Sequence, residues 1–278
     1  MTDLHIHSNA SDGTDNPEEL LKNIREKGIK IFALTDHDTI TGVAAVKRLI
    51  TQDIKFIQGI EFSCRCEDFK CHILGLGYDE NNKIFQDALK IGEKLRHEKL
   101  YKRLDFLHEI FNIEFSTEEI NSLSKIPSVG KIHLGNLIVS KGFASNRIEA
   151  MENFVDKCKT PNDKIDAEIA INAVNSSGGV SVWAHPLGGA REKELSQEEF
   201  LRRLKILMSF GLKGLECFYS KYEIEKCKRL SSIAKINNLY VSGGSDYHGS
   251  NKNVPLMKLN AENIEIPDEN LTILEILT

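Results

Sequence analysis

The sequence lacks the features that mark membrane, secreted and disulfide-rich proteins. It contains no run of 18 uncharged apolar residues, so we expect no membrane-spanning helix. Its first residues lack a basic region followed by an apolar core, which predicts no secretory signal and a cytoplasmic location. The six cysteines are few for 278 residues and include no Cys-x-x-Cys pair, so we expect reduced thiols and no thiolate metal site.

An excess of positive charge is absent as well. The formal net charge is −5, which argues against broad nonspecific binding of nucleic acid through its phosphates. The content of hydrophobic residues, 41%, and of charged residues, 28%, is typical of a soluble globular protein. A length of 278 residues allows one large α/β barrel or two domains.

Predicted strands and helices alternate along most of the chain. Residues 29–35 form a continuous apolar run, which is typical of a strand buried on both faces. The preceding helix begins at Asn16-Pro17-Glu18-Glu19, which combines a capping side chain, a proline and two acids in the first turn. This βα alternation predicts a parallel sheet covered by helices. Further strands are predicted at 55–60, 71–76, 180–183, 214–218 and 239–242, and further helices at 43–50, 197–210 and 223–237.

A segment over residues 81–164 interrupts the predicted barrel, which comprises 1–80 and 165–278. Helices are predicted in it at 84–111, 129–140 and 146–157. Residues 83–164 contain 14 Lys+Arg and 12 Asp+Glu, whereas the rest of the chain is net acidic. Two interpretations fit this slight positive charge: a solvated helical face, or a lid that supplies cations to an anionic substrate.

The segment Asp3-Leu4-His5-Ile6-His7 places two histidines two residues apart on a predicted strand. Side chains alternate across a strand, so His5 and His7 point the same way and can bind one metal ion. Similar motifs follow other apolar runs, so the pattern is more than one chance pair. They are Thr35-Asp36-His37-Asp38, Ala184-His185-Pro186 and Ser245-Asp246-Tyr247-His248.

Nine imidazole and carboxylate side chains are predicted to meet at one rim of the barrel, because the active sites of parallel α/β barrels form at the C-terminal ends of the strands. Such ligands without cysteine suit Mn, Fe, Zn or Mg. Nine ligands are too many for one ion, so we expect two or three ions, which would produce hydroxide and stabilise a phosphoryl transition state. The nine residues are His5, His7, Asp12, His37, Glu61, His72, His185, Asp246 and His248.

These motifs together resemble the PHP (polymerase and histidinol phosphatase) superfamily. The resemblance continues through Gly59-Ile60-Glu61, His72-Ile73-Leu74-Gly75 and the segment from Gly243 to Gly249, and it covers nearly the whole chain. It implies a distorted (β/α)7 barrel and hydrolysis of phosphoesters by a metal-bound hydroxide, without a separate protein nucleophile. It also implies a trinuclear site, with His5, His7, Glu61 and Asp246 on one ion, Glu61, His72 and His185 on the second, and Asp12, His37 and His248 on the third.

The helical segment resembles that of the branch containing nucleoside 3′,5′-bisphosphate phosphatases and a 5′→3′ exoribonuclease. The Arg-x-His motif of that branch corresponds here to Lys131-Ile132-His133, in which lysine keeps the charge but loses the planar guanidinium. The branch's His-Pro-Gly-Arg becomes His185-Pro186-Leu187-Gly188, with Arg191 as the candidate replacement for the arginine. Ser220 and Lys221 match the branch's Ser-Lys. Alternatively, Lys131 and His133 are an ordinary helix N-terminus at the surface.

The sequence therefore predicts a metal-dependent phosphoesterase that acts on a small phosphorylated nucleotide, such as a nucleoside bisphosphate or monophosphate. Two alternatives stay open: a 5′→3′ exonuclease on short RNA, and a catalytically inactive PHP domain that serves as a binding module. The complete ligand set argues against the inactive domain. We expect neither a membrane association nor an obligate protein partner.

Overall fold

The strands of the protein form one strongly curved sheet surrounded by helices. The computed structural model describes residues 1–160, 163–189 and 192–277. The strands in this part of the chain are β1 (Thr2–Ile6), β2 (Ile31–Leu34), β3 (Lys55–Cys66), β4 (Phe69–Leu76), β5 (Ile165–Asp166), β6 (Val180–Trp183), β7 (Gly214–Tyr219) and β8 (Tyr240–Gly244).

Seven of these strands nearly close a barrel. Their order in the sheet is β1-β2-β3-β4-β6-β7-β8, and the two-residue β5 pairs with β3 at the side. A bridge between Ile6 and Tyr247 joins the chain after β8 to the end of β1, and the amide of Asp246 donates to the carbonyl of His5 at 2.8 Å. This architecture confirms the expected distorted (β/α)7 barrel.

The expectation of a fully parallel sheet was wrong at β4, which runs antiparallel to both β3 and β6. Only Glu67 and Asp68 separate β3 from β4, and Glu67 has a φ of 43°. A connection this short makes a hairpin, because a parallel pair needs a crossover of a dozen or more residues. Strand β4 begins at Phe69 and not at Cys71 as predicted, so His72 lies in the middle of the strand and not at its start.

The first helix forms for the reasons read from its sequence. The Asn16 side chain accepts from the amide of Glu19, whose own side chain accepts from the amide of Asn16, and Pro17 occupies the first turn. The apolar stripe of Leu20, Leu21 and Ile24 is buried in a hydrophobic cluster that also contains residues of β1 and β2. The predicted capping arrangement is therefore confirmed.

The remaining helices cover the barrel or form the segment between β4 and β5. The N-terminal ends of the long helices were predicted within one or two residues, but the helices at 117–124 and 167–176 were not predicted. The helices are α1 (Pro17–Glu26), α2 (Thr41–Leu49), α3 (Lys83–Phe111), α4 (Thr117–Ser124), α5 (Lys131–Ser140), α6 (Arg147–Asn153), α7 (Ala167–Ser176), α8 (Gln197–Ser209), α9 (Ile224–Ile236) and α10 (Leu274–Leu277).

Helices α3 to α6 surround a hydrophobic cluster of their own, separate from the barrel core. Leu107, Ile113 and Ile138 are fully buried in it, whereas the N-terminal part of α3 packs Phe85 and Ala88 into the barrel core. Helix α3 thus contributes side chains both to the barrel core and to the separate cluster of the helical segment. The division of the chain into a barrel and a helical insertion stays a prediction.

None of the helices in the described residues combines the length and the apolar character that crossing a bilayer requires. All six cysteines are free thiols, and five of them are buried.

Candidate metal centre

The nine predicted ligands converge at one end of the barrel. His5 lies on β1, Glu61 on β3 and His72 on β4, while the other six follow the ends of β1, β2, β6 and β8. Neighbouring strand ends lie beside each other, so residues distant in sequence meet there. Three subsets have ligand atoms close enough to hold a cation: His7, Asp12, His37 and His248; His5, His7 and Glu61; and His37, Glu61 and His72.

Glu61 lies at the middle of this cluster, and its two oxygens face different histidines. Oε2 is 3.2 Å from Nε2 of His5 and 3.1 Å from Nε2 of His7. Oε1 is 2.8 Å from Nδ1 of His72 and 3.2 Å from Nε2 of His185. A carboxylate that presents one oxygen to each side has the geometry needed to bridge two cations.

Asp12 and His37 extend the cluster on the side of Glu61 Oε2. Nδ1 of His37 is 3.1 Å from that oxygen, and Nε2 of His37 is 3.8 Å from Oδ2 of Asp12. Oδ1 of Asp12 is 3.1 Å from Nε2 of His248 and 3.6 Å from Nδ1 of His7. His7, which the resemblance assigns to the first ion, therefore also lies near Asp12, an implied ligand of the third ion. His37, which it assigns to the third ion, also lies near Glu61, the implied ligand shared by the first two ions.

Asp246 has its two oxygens in different environments. Oδ1 is 3.4 Å from Nε2 of His7 and 3.7 Å from Nε2 of His5. Oδ2 accepts hydrogen bonds from the Tyr219 hydroxyl at 3.0 Å and from the Lys252 ammonium at 2.6 Å. The second pair of contacts orients the carboxylate and leaves Oδ1 directed at the histidines.

The donor set fits divalent cations. Nδ1 of His37 and Nε2 of His248 are buried and make no hydrogen bond, although a carboxylate oxygen lies 3.1 Å from each of them. A cation bound to both the nitrogen and the oxygen would satisfy them. Nε2 of His5 and Nε2 of His7 point at each other across 3.1 Å, as two ligands of one ion would. The donors are imidazole nitrogens and carboxylate oxygens, which suit Mn, Fe, Zn or Mg.

The carboxylates of the cluster are ionised. Burial alone would raise the pKa of Glu61, but the neighbouring imidazoles of His37, His5 and His72 hold it well below its usual value. The pKa of Asp12 is lowered in the same way against burial, first by His248 and then by His37. Both side chains are therefore available as anionic ligands at neutral pH.

Glu216 supports two of the predicted ligands from behind and was not predicted from sequence. It is fully buried on β7, and its Oε1 accepts from Nδ1 of His5 at 2.8 Å. Its Oε2 accepts the backbone amide of His185 at 2.7 Å. A carboxylate on the far nitrogen fixes the tautomer and the orientation of a ligand imidazole, so that Nε2 of His5 faces the cluster.

We expect Glu216→Gln to weaken metal binding and activity by roughly 10- to 100-fold, because the amide cannot accept from both groups with a full negative charge. Metal titration of the refolded variant and the rate of phosphoester hydrolysis would measure both effects. Glu223→Gln, with the same charge change at the start of α9, is the matched control. Unchanged metal affinity in Glu216→Gln would contradict the supporting role.

Three residues at the strand ends adopt a left-handed backbone that non-glycine residues rarely occupy. They are Asp38, with a φ of 49°, His185, with a φ of 31°, and Asp246, with a φ of 59°. Each is tied by its amide: Asp38 donates to the Glu61 carbonyl, His185 to Glu216 and Asp246 to the His5 carbonyl. Such strain persists where the surroundings enforce it. The side chains of His185 and Asp246 face the cluster, whereas the Asp38 carboxylate accepts from the Ser63 amide and from Arg96.

A glycine allows β8 to approach β1 at the cluster. A Cβ atom at Gly244 would lie 2.2 Å from Cβ of His5 and 2.5 Å from its amide nitrogen. No side chain fits in that space without moving the strand that carries His5 and His7.

A cavity of about 1480 Å³ opens beside the cluster, bordered by Asp12, His37, His72, His185 and His248. Its wall contains 12 lysines and arginines against six acidic residues, although the whole chain is acidic. The cations are Lys70, Arg96, Lys99, Arg103, Lys131, Arg147, Lys159, Lys164, Lys193, Arg203, Lys221 and Lys252.

The predicted substrate residues have different positions. Lys131 and Lys221 line the cavity, and Lys131 forms an ion pair with Asp156. Nδ1 of His133 accepts the amide of Gly130 at 2.9 Å, so this histidine caps the start of α5. Ser220 is buried, and its Oγ has no hydrogen-bond partner. Arg191 lies outside the described residues.

Some residues around the cluster escaped the sequence analysis for identifiable reasons. Glu216 carried a usable signal, because it is a carboxylate within an otherwise apolar strand. Lys252 follows His248 by four residues but belongs to no periodic pattern. Arg96, which donates from Nε to Asp38 at 2.7 Å, lies on α3, far from any metal motif in the sequence.

Comparison with known proteins agrees with this geometry. The model of the PHP domain family matches residues 3–160. The chain is 31% identical to a phosphoribosyl 1,2-cyclic phosphate 1,2-diphosphodiesterase of Eggerthella lenta, over 92% of this chain and 97% of the relative. It is 28% identical to a 5′-3′ exoribonuclease of Haemophilus influenzae, over 88% of this chain and 89% of the relative.

Two further similarities point the same way. A 3′,5′-nucleoside bisphosphate phosphatase of Chromobacterium violaceum is 24% identical, over 88% of this chain and 86% of the relative. A crystal structure from Bifidobacterium adolescentis, described as that of a metal-dependent phosphoesterase, superimposes with a TM-score of 0.83 at 28% identity, covering 99% of this chain and 95% of that one. The barrel, the cluster of histidines and carboxylates, the family match and the relatives all agree. The chain belongs to the PHP family and is a metal-dependent phosphoesterase.

Proposed function

We propose that this enzyme hydrolyses a phosphate ester of a small nucleotide that carries a second phosphate, such as a nucleoside 3′,5′-bisphosphate. The nine ligand residues would hold two or three divalent ions, with Glu61 as the bridge. When bound, such ions supply Lewis-acid polarisation of the phosphoryl oxygens and lower the pKa of water. Mn, Fe or Zn suit the donors, and Mg is an alternative.

The observation that carries this proposal is the basic cavity that borders the cluster. Lysine and arginine side chains bind phosphate oxygens through charge-assisted hydrogen bonds, and an enclosed site strengthens them. The wall contains twelve cations and only six acids, and an uncharged ester would not require this excess of positive charge. A substrate with one phosphate at the cluster and a second on the wall uses both features.

The chain's own residues would orient the substrate in defined ways. Lys221 and Lys131 line the cavity and would contact the second phosphate. Ser220 and Arg191 complete the proposed substrate set, although Ser220 is buried and is not among the residues that line the cavity. His133 would act indirectly, by fixing the first turn of α5 and with it Lys131. The helical segment 81–164 would serve as the substrate lid.

A phosphate-release assay with Mn²⁺ tests this function. The substrates would be nucleoside 3′,5′-bisphosphates, nucleoside monophosphates, a phosphoribosyl cyclic phosphate and 5′-phosphorylated trinucleotides. We expect the bisphosphate to have the highest kcat/KM. Equal or faster hydrolysis of the cyclic phosphate or of monophosphates would overturn the proposed substrate class.

A 5′→3′ exonuclease acting on short RNA is the second candidate. The cavity exceeds the roughly 300–1,000 Å³ typical of small-molecule sites, so it has room for more than one nucleotide. Stepwise release of mononucleotides from the trinucleotide, faster than hydrolysis of the bisphosphate, would establish this candidate instead. An inactive binding module would release no phosphate from any of these substrates.

The helical segment should determine substrate choice and leave the chemistry alone. Lys131→Ala removes a charge-assisted contact of roughly 1.5–3 kcal/mol. We expect KM for the bisphosphate to rise about tenfold or more, and hydrolysis of a small chromogenic monoester to change little. His133→Ala should act in the same direction through the lost cap of α5.

Lys125→Ala is the control for Lys131→Ala, because Lys125 is an exposed lysine of the same segment. If both substrates lose activity equally in Lys131→Ala, or if neither does, the lid assignment is wrong.

A further inference from the structure

A stripe of cations on α3 runs from the metal centre along the wall of the cavity. Arg96, Lys99 and Arg103 all line the cavity, so these positions share one face of the helix. With a rise of 1.5 Å per residue, Lys99 lies about 4.5 Å and Arg103 about 10.5 Å along the helix from Arg96. The stripe therefore spans two turns of α3.

The end of the stripe nearest the metal centre is anchored to it. Nε of Arg96 donates to Asp38 at 2.7 Å, and its terminal nitrogen donates to the Ser63 hydroxyl at 2.8 Å. Ser63 is paired with His72 across β3 and β4, and the Lys164 ammonium lies 3.2 Å from Nε2 of His72. Lys164 thus lies beside the ligand cluster, and its charge also acts on Lys99 in the far part of the stripe.

The far part of the stripe is buried, and more cations than acids surround it. Lys99 is only 9% exposed and Arg103 only 6% exposed. The Lys99 ammonium pairs with Asp163 at 3.0 Å, and Asp163 is also 3.8 Å from Lys70. Nε of Arg103 is buried without any hydrogen-bond partner. A buried guanidinium with an unsatisfied donor is costly unless an anion completes its environment.

The electrostatics agree with this shortage. Burial, followed by the repulsion of Arg96, lowers the pKa of Lys99 to about 7 in spite of Asp163. Burial lowers the pKa of Arg103 to about 10 in spite of the opposing effect of Asp163, and Arg96 contributes to this shift. Burial thus disfavours the charged forms of Lys99 and Arg103, and a bound anion would offset this unfavourable desolvation.

We propose that Lys99 and Arg103 form a distal anion subsite, with Lys164 between it and the metal centre, and that this subsite binds a phosphate group of the substrate remote from the scissile phosphate. The inference rests on the proposed phosphoesterase function and deepens it. The subsite differs from the second-phosphate contacts at Lys131 and Lys221, because its residues come from α3. The ligand it fits is a phosphate group, either in an oligonucleotide backbone or as the second phosphate of a bisphosphorylated nucleotide, which would then lie here instead of at Lys131 and Lys221.

The test uses the metal-loaded enzyme and the variants Lys99→Gln and Arg103→Gln. Lys102→Gln is the matched control, because Lys102 is the exposed neighbour of Arg103 on the same helix. KM and kcat would be measured with a chromogenic monoester, a nucleoside 3′,5′-bisphosphate and a 5′-phosphorylated trinucleotide. We expect KM to rise about tenfold for at least one multiply phosphorylated substrate, with the monoester unaffected.

The two multiply phosphorylated substrates separate the sources of the anion. A rise in KM for the bisphosphate places the nucleotide's second phosphate in this subsite instead of at Lys131 and Lys221, and a rise for the trinucleotide alone identifies the oligonucleotide backbone. Unchanged KM for both substrates overturns the subsite. An equal loss of activity on the monoester also overturns it, because that result indicates a structural role.

If the wild-type enzyme hydrolyses none of these substrates, the proposed function is contradicted. Thermal unfolding then tests the subsite independently of activity. Inorganic pyrophosphate should raise the Tm of the wild-type protein and of Lys102→Gln by the same amount, and that of Arg103→Gln by less, because the other phosphate-binding groups stay in place. Without ligand, Arg103→Gln should be at least as stable as the wild type, since it removes an unsatisfied buried charge. A lower Tm, or the same pyrophosphate shift in all variants, would overturn the subsite.

Discussion

Glu61→Gln is expected to lower the rate of phosphoester hydrolysis by about a thousandfold or more while the fold stays intact. Glu61 alone presents one oxygen to His5 and His7 and the other to His72 and His185. Glutamine keeps the shape but replaces one oxygen with a nitrogen that cannot be a ligand. Lewis-acid stabilisation by metals is worth several kcal/mol, and about 1.4 kcal/mol corresponds to a factor of ten in rate.

The same substitution should also reduce metal content. Two cations that share an anionic bridge repel each other more strongly when the bridge becomes neutral, so we expect the loss of at least one ion per chain. Activity assays, elemental analysis and circular dichroism of the purified variant would measure these effects. Glu67→Gln, at the exposed tip of the same hairpin, is the control. Wild-type activity with full metal occupancy in Glu61→Gln would refute the bridging role.

Removal of the metals should abolish hydrolysis and destabilise the protein. The cluster packs three carboxylates and six imidazoles into a buried site, and cations would satisfy atoms that make no hydrogen bond there, such as Nδ1 of His37. Ligand at 100 times its Kd stabilises a fold by about 2.7 kcal/mol. At about 2 °C or more per kcal/mol, chelation should lower Tm by roughly 5 °C or more.

Scanning calorimetry before and after chelation would measure this shift, and adding back Mn²⁺, Zn²⁺ or Fe²⁺ in separate samples would show which ion restores activity and Tm together. Elemental analysis of the reloaded protein should give two to three ions per chain. A stoichiometry of one or less after reloading would count against the multinuclear centre. A chelated enzyme with undiminished activity would count against metal dependence of the reaction.

Local signals in the sequence were sufficient for the elements whose formation depends on neighbouring residues. The cap at Asn16, the apolar run that becomes β2 and the long helix α3 follow from propensity and periodicity. The direction of β4 was predicted incorrectly, because the hairpin signal at Glu67 and Asp68 is short and lacks glycine. Helix α7 was missed because its ten residues follow a two-residue strand with no apolar run to announce it.

The amino-acid sequence alone was enough to predict the barrel, the family and a set of candidate ligands, because each motif is a short run of adjacent residues at a strand end. The support by Glu216, the orientation of Asp246 by Tyr219 and Lys252, and the cation stripe on α3 arise only when the chain folds. They join side chains such as His5 and Glu216, which are 211 positions apart in the chain and 2.8 Å apart in space. Burial, which makes an unpaired Arg103 costly and a shared carboxylate effective, is a property of the packed tertiary structure and has no counterpart in a local sequence pattern.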